Sequence, residues 1–401
     1  MKRTADVIVI GGGVLGAATL FELAARGLTA VLVERSLPGR QGSGTTAGNL
    51  HIQAVHSRRP NQQVPVNVAR LLPFQREAST LWEGVGERLG ADVGLVRSGG
   101  FTVAETAEDV EELHTKSLWE SDAGIPTEVL DGTAARAAMP QLGPSVRGAT
   151  WCALDGYANS LLATPAYLSA ARTLGATVYT DAPVVAIERS GSSWTVRSTI
   201  GEFSAPAVVN AAGPWIQQVS AMAGYRLAMA PVAIQMHETV RAPRFLPHLV
   251  QHVSRGLSVK QVTTGNVLVG GGWPAGRLDL AGRTTISEES VAGNMADAIR
   301  IVPAVEKLTL SRAWPGPLAA TPDEMPVIGE ITGSDGFFVT GGTYAFTFSP
   351  VWARTMTELI IGEPPTIEVA DLSPDRLLLD EAEPAAPRVP APAPTLQKAD
   401  H

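Results

Sequence analysis

Residues 6–35 read DVIVIGGGVLGAATLFELAARGLTAVLVER, and the fold turns on this stretch. Val7–Ile10 is a short, wholly apolar run, the pattern of a strand buried on both faces of a parallel sheet. Gly11, Gly13 and Gly16 follow as G-x-G-x-x-G, and Ala17–Arg26 keeps helical spacing up to a stop at Gly27. A second apolar run, Ala30–Val33, ends at Glu34. In such a pattern the glycines serve the tight turn, the close approach of backbone to a pyrophosphate, and the packing of helix on strand. A pyrophosphate at the helix N-terminus meets unpaired N–H groups and the positive end of the helix dipole. Glu34 stands about twenty residues on, where a carboxylate accepts hydrogen bonds from ribose hydroxyls. Strand, glycine turn, helix, second strand and acid together imply a bound dinucleotide. The acid argues against a 2′-phosphate, which leaves FAD or NAD.

The chain has 401 residues, enough for a large core and two domains. It is 45% hydrophobic and 17% charged with a net charge of −8, which suits a soluble acidic protein. No basic cluster suggests nucleic acid or an anionic membrane. No apolar run reaches membrane-span length, and the N-terminus enters a strand without a secretory signal, so the expected location is cytoplasmic. The single cysteine, Cys152, excludes an internal disulfide or a cysteine-based metal site and reads as a small buried residue.

After Arg35 comes a glycine- and threonine-rich loop, in which Ser43, Thr45, Thr46 and Asn49 are expected beside the dinucleotide. His51 and His56 lie close by and are candidate polar groups of the site. Helical spacing predicts a surface helix over Leu71–Leu89, a charged helix over Ala107–Ala123, and a short one over Thr133–Met139. Val93–Ala104 reads as two strands around a Gly-Gly turn, and Arg147–Leu154 as another strand. A turn and helix follow through Ala171. Thr177–Tyr179, Val184–Arg189, Trp194–Ser198 and Gly201–Ser204 read together as a small antiparallel meander. Ala207–Asn210 is a buried strand leading into AAGPW, where Trp215 is expected to pack its ring. Ala230–Val240 and Leu257–Gly272 alternate as strands of a second sheet, with Ser287–Ile301 a helix of the same unit. Arg312–Gly329 is proline- and glycine-rich, Gly336–Thr340 is a last strand, and a glycine loop and helix run to Gly362. From about Glu381 the sequence is Pro/Ala-rich without apolar periodicity and reads as disordered.

Taken together, GGGVLG with Glu34-Arg35, the GSGTT at 42–46, VVNAAGPW at 208–215, the W-x-G-x-x-x-x-T-P-D-x-x-P-x-I-G at 314–329 and the F-x-x-x-G-G at 337–342 resemble the D-amino-acid-oxidase-like family. This is the flavin-dependent amine oxidoreductase group of glycine and sarcosine oxidases, and the resemblance spans roughly residues 5 to 375. AGNLH at 47–51 and DGYANSLLATPAY at 155–167 are most similar to β subunits of heteromeric opine oxidases, hydrogen cyanide synthase and D-hydroxyproline dehydrogenase. The resemblance implies an α/β fold: a Rossmann-like FAD-binding domain, with a parallel sheet and a small meander, interleaved with a mixed α+β substrate domain. Residues 1–85, 155–220 and 312–378 would form the former, residues 86–154 and 221–311 the latter, and 379–401 a disordered tail.

It also implies FAD at named positions. Gly11, Gly13, Val14 and Gly16 would hold the pyrophosphate, and Glu34 and Arg35 the adenosine side. Ser43, Thr45, Thr46, Asn49 and Leu50 would line the phosphate and ribityl region. Val185 resembles the backbone contact to adenine, while Ala211, Ala212, Gly213 and Trp215 would lie against the dinucleotide. Gly316, Gly341, Gly342, Tyr344, Ala345, Phe346 and Thr347 would reach the flavin. Pro317 and Ala47 stand where some relatives carry a cysteine or histidine linked to flavin, so the FAD is expected to be non-covalent. Leu318 stands where glycine-oxidase-like members hold the substrate carboxylate with an arginine, which leaves Arg255, Lys260 and Arg244 as candidate cations.

The implied chemistry is oxidation of a C–N bond in a D-amino acid, imino acid, opine or N-methyl amino acid, with His51, His237 and Tyr344 as candidates to assist. Partner subunits of a heteromeric complex are expected, and any membrane association would come through them. Two other readings share the N-terminal fingerprint. An NAD(P)H-using flavoprotein usually carries a second glycine fingerprint, and none is visible. A flavin-binding electron-transfer or assembly subunit, inactive alone, is the other.

Overall fold

The computed structural model describes residues 3–55, 68–279 and 281–380; His56 and the Pro/Ala-rich tail from Glu381 lie outside these residues. Two sheets organise the chain. The first has six strands, in the order Val327–Glu330, Phe337–Gly341, Ala207–Asn210, Val7–Ile10, Ala30–Val33 and Thr177–Tyr179. All pairings are parallel except that of Val327–Glu330, which runs antiparallel to its neighbour.

The burial of Val7–Ile10 on both faces explains its wholly apolar run. Val7 and Val9 face a cluster that includes Leu20, Leu23, Trp82, Phe348 and Trp352, contributed by the helices Val14–Ala25, Leu72–Leu89 and Ala345–Ile360. Ile8 and Ile10 face the opposite way, against Trp194, Val196 and Phe203. Those three belong to a meander of Val184–Ser190, Ser193–Ser198 and Gly201–Ala205, joined by Arg3–Thr4 in parallel. Thr177–Tyr179, expected in that meander, instead pairs in parallel with Ala30–Val33. The helix Leu72–Leu89, expected on the surface, buries Phe74, Ala78, Trp82 and Val85 along one side.

The second sheet has eight strands: Leu310–Ala320, Ala230–Thr239, Val267–Gly270, Ser258–Gln261, Leu249–His252, Gly100–Ala104, Gly148–Cys152 and Glu128–Asp131. Leu249–His252 and Gly100–Ala104 pair in parallel and the others antiparallel. Ahead of Gly100, the expected strand reduces to a bridge between Val96 and Tyr157. The helix Glu288–Ile301 begins at Ser287, whose hydroxyl caps the Ser290 amide, with Glu288 and Glu289 in its first turn.

The proline-rich stretch after residue 310 departs most from expectation. It is an 11-residue strand paired along its length with Ala230–Thr239, and a domain boundary at residue 312 would cut through it. Pro315 and Pro317 donate no ladder hydrogen bond, and the strand tolerates them because it lies at the sheet edge. Among the described residues no helix is long and apolar enough to cross a membrane. Cys152 is buried, and burial pushes its thiol up to about 12.

Candidate active site

A cavity of about 650 Å³ runs between the two sheets. At one end it is bounded by the C-terminal edge of Val7–Ile10 and by the turn beyond it. A Cβ on Gly11 would lie 2.5 Å from the Ala211 carbonyl oxygen, and the residue sits at φ +109°, so backbone alone fits there. A Cβ on Gly16 would come within 2.0 Å of the Gly11 carbonyl oxygen; this glycine supports the turn without lining the cavity. Gly13 and Val14 open the helix Val14–Ala25, and the Val14 amide donates to Ser43 Oγ at 2.8 Å. The Glu34 carboxylate accepts from the Gly12 amide at 2.6 Å and the Ser36 amide at 2.9 Å, which places it beside the glycine turn. Arg35 lies 3.5 Å from the Trp215 ring centroid, and burial lowers its pKa against the opposing charge of Glu34. Trp215 thus packs on Arg35 and lines the cavity as well.

The middle of the cavity is built by the edge strand crossing over the Gly42–Thr45 turn. Trp314 Nε1 donates to the Thr45 carbonyl at 2.9 Å, and a Cβ on Gly42 would lie 2.4 Å from the Pro317 carbonyl oxygen. The far end is closed by Gly341–Thr347. Tyr344, at φ +59°, caps the helix Ala345–Ile360 and donates its phenol to the Val55 carbonyl at 2.9 Å. Thr347 Oγ1 donates to the Asn49 carbonyl at 3.2 Å, and the buried Trp82 indole donates to the Thr347 carbonyl at 2.8 Å. Asp323 of the T-P-D turn accepts from the Met325 amide and from Arg376, a structural role.

Most of the anticipated cofactor positions meet in this one cavity. Besides the residues named above, Thr46, Ala211, Ala212, Gly213, Gly316, Gly342, Ala345 and Phe346 line it. Leu50 is fully buried behind the wall, paired with Gly156. Val184 lines the cavity and Val185, expected to contact adenine through its backbone, is not among the lining residues; Val185 is 57% exposed, as alternation along the strand requires.

The candidate polar residues divide. His51 lines the cavity, its Nδ1 has no hydrogen-bond partner, and burial with the nearby Lys260 charge pushes its pKa down to about 4. His237 lies outside the lining, buried between Gln235 and Asn294, which contact its two ring nitrogens at 3.2 and 3.1 Å. Arg255 turns to Glu105 and Asp297, each at 3.6 Å, and Arg244 is an exposed residue away from the cavity. Lys260 is buried behind the wall, donating to the Ala47 carbonyl and, at 2.5 Å, to Asn49 Oδ1; burial lowers its pKa to about 7.

The second-sheet side of the cavity comes largely from residues not singled out in the sequence: Val232, Ile234 and Met236 on alternate positions of one strand, with Gln251, Leu257 and Ser258. Their period of two was the available signal. Leu318, opposite Val232 in register, completes the apolar side.

The cavity suits FAD. Its collision-limited glycines stand at the N-terminus of the helix Val14–Ala25, where a pyrophosphate fits, Glu34 and Arg35 bound the adenosine end, and the far end is wide enough to meet both Gly341–Thr347 and the second sheet. The family described as FAD dependent oxidoreductase (DAO) matches residues 6–359. The chain belongs to this family. It is an FAD-dependent oxidoreductase, similar to the glycine oxidase of Geobacillus kaustophilus, with 28% identity over 93% of this chain and 97% of that protein. It is also similar to the hydrogen cyanide synthase subunit HcnC of Pseudomonas aeruginosa, at 25% identity over 98% of this chain and 100% of the other. The crystal structure of the Geobacillus kaustophilus glycine oxidase superposes with a TM-score of 0.80 at 27% identity, covering 92% and 98% of the two chains.

Proposed function

We propose that this oxidoreductase converts the C–N bond of an amino acid or secondary amine into an imine, the class of substrate being a D-amino acid, imino acid, opine or N-methyl amino acid. When bound, FAD supplies the acceptor for the hydride that leaves the carbon. The observation that carries the reading is the wall facing Gly341–Thr347, where apolar side chains from two paired strands meet a few neutral polar groups.

Each part of that wall has a task. Val232, Ile234, Met236 and Leu318 exclude water, which disfavours an ammonium and leaves the amine neutral, with its nitrogen lone pair available to assist loss of hydride. His51, its pKa pushed down to about 4, stays neutral on this wall and is the group that takes up the proton the amine nitrogen gives up. Gln251 and Ser258 offer hydrogen bonds that orient the substrate without adding charge. Similarity to glycine oxidase supports the amine chemistry. Anaerobic mixing with a panel of D-amino acids, N-alkylated amino acids and opines should bleach the flavin absorbance for at least one class. If no amine does so, with or without partner subunits, the reading fails. Bleaching by NADH alone would replace it.

A second element of the proposal is that the chain works as the catalytic subunit of a heteromeric dehydrogenase, which the similarity to HcnC supports. Amine-dependent dye reduction by the isolated chain is the expected result. Turnover appearing only after partner subunits are added favours an electron-transfer or assembly role instead.

A further inference from the structure

The segment His51–Val55 forms part of the cavity wall through His51 and Val55 and has no regular secondary structure. Its backbone polar groups are met almost wholly by side chains from distant elements. Asp155 Oδ1 accepts from the Ile52 amide at 2.8 Å and the Gln53 amide at 3.1 Å. Glu120 Oε1 accepts from the Ala54 amide at 2.7 Å. On the other side, Gln75 Nε2 donates to the carbonyls of His51 and Gln53 at 3.1 and 3.0 Å. The phenol of Tyr344 takes the Val55 carbonyl.

Behind the segment these groups are joined. Lys116 Nζ, paired with Glu120 at 2.5 Å, also donates to Gln53 Oε1 at 3.0 Å, and Gln53 Nε2 donates to Asp155 Oδ2 at 2.7 Å. Thr150 and Thr102 add their hydroxyls to Gln53 Oε1, and Thr102 receives Gln251, itself on the cavity wall. Asp155, Glu120, Lys116, Gln53 and Gln75 are each at most 1% exposed. Well-packed apolar residues would serve stability alone at least as well as a buried ion pair of this kind. What an apolar residue cannot do is accept from three successive amides and so fix where their backbone runs.

We propose that Asp155 and the Lys116–Glu120 pair are positioning residues that hold His51 and Val55 at the reacting end of the cavity. The assignment rests on the proposed amine oxidation for its kinetic consequence, while its geometric consequence stands apart from any activity. Asp155→Ala removes the oxygen that accepts from the Ile52 and Gln53 amides. Gln75→Met, close in size and apolar, releases the two carbonyls from the opposite side and serves should Asp155→Ala fail to fold.

The test is made on the FAD-loaded full chain. Hydrogen exchange at the amides of Ile52, Gln53 and Ala54 should quicken about tenfold in either folded variant, with other buried amides unchanged. The limiting rate of anaerobic flavin reduction per bound flavin should fall about tenfold or more, with the half-saturating amine concentration changing less than about threefold. Wild-type exchange at residues 52–54 in a folded variant overturns the assignment whatever the activity. Quickened exchange with an unchanged reduction rate overturns it too, leaving a structural clamp. A wild-type flavin that no amine reduces counts against the proposed function, and the exchange data then decide this inference alone.

Discussion

Replacing Lys260 by methionine tests how the second sheet supports the cofactor loop. The lysine is 2% exposed, its Nζ donates to the Ala47 carbonyl and Asn49 Oδ1, and it lies 4.6 Å from the Tyr157 ring centroid. Burial lowers its pKa from 10.5 to about 7. Between these values the unfolded chain holds a proton that the folded chain has released, so stability rises with pH across the window. Each pH unit is worth about 1.4 kcal/mol, or about 2 kcal/mol between pH 7 and about 8.5. His51, lowered to about 4, and Cys152, raised to about 12, keep one protonation state in the folded protein over that range. An unfolding entropy of about 2.1 cal/mol/K per residue over 401 residues converts 2 kcal/mol into a Tm rise of about 2–3 °C. Thermal unfolding of the FAD-saturated protein at the two pH values should show that rise, and Lys260→Met, which keeps the apolar stem, should abolish it. A flat wild-type profile, or the same rise in Lys260→Met, refutes the reasoning.

Three further outcomes are expected. Gly11→Ala forces a Cβ against the Ala211 carbonyl at a φ of +109°, and strain of about 1–3 kcal/mol should weaken FAD binding about 10- to 100-fold, read by flavin absorbance during titration. Trp82→Ala removes a fully buried ring and its hydrogen bond to Thr347, which should cost about 3–5 kcal/mol, read as a lowered Tm with reduced FAD retention. Because the His51 pKa is held near 4, its protonation should cut the rate of flavin reduction only as pH falls towards 4, not at 6.5; His51→Asn should remove that limb and slow reduction about 100-fold.

The cofactor half of the site was legible because its signals are local. Strand, glycine turn, helix and acid lie within residues 6–35, and each depends on near neighbours in sequence. The substrate half depends on contacts between distant segments, and residue type misleads there. Arg255 resembles a carboxylate ligand until Glu105 and Asp297, brought from two other elements, are seen to take it. Lys260 has the charge but sits behind Asn49, and His237 is closed between Gln235 and Asn294. The strand Leu310–Ala320 was hidden by prolines that read as loop punctuation, and only its place at the sheet edge makes them compatible with pairing. Asp155 opens the DGYANS stretch and Glu120 lies in a charged helix, but neither showed its role, since both act on backbone amides more than sixty positions away.

The order of strands in the parallel sheet also bears on how the chain is made. Val7–Ile10 emerges from the ribosome early, yet one of its two neighbours is Ala207–Asn210, and that strand in turn awaits Phe337–Gly341. At about 5–20 residues per second, the first of these waits lasts about 10–40 s. Throughout it, a four-residue apolar strand has an open edge. The Gly341–Thr347 end of the cavity is therefore made only after most of the other cavity-lining residues.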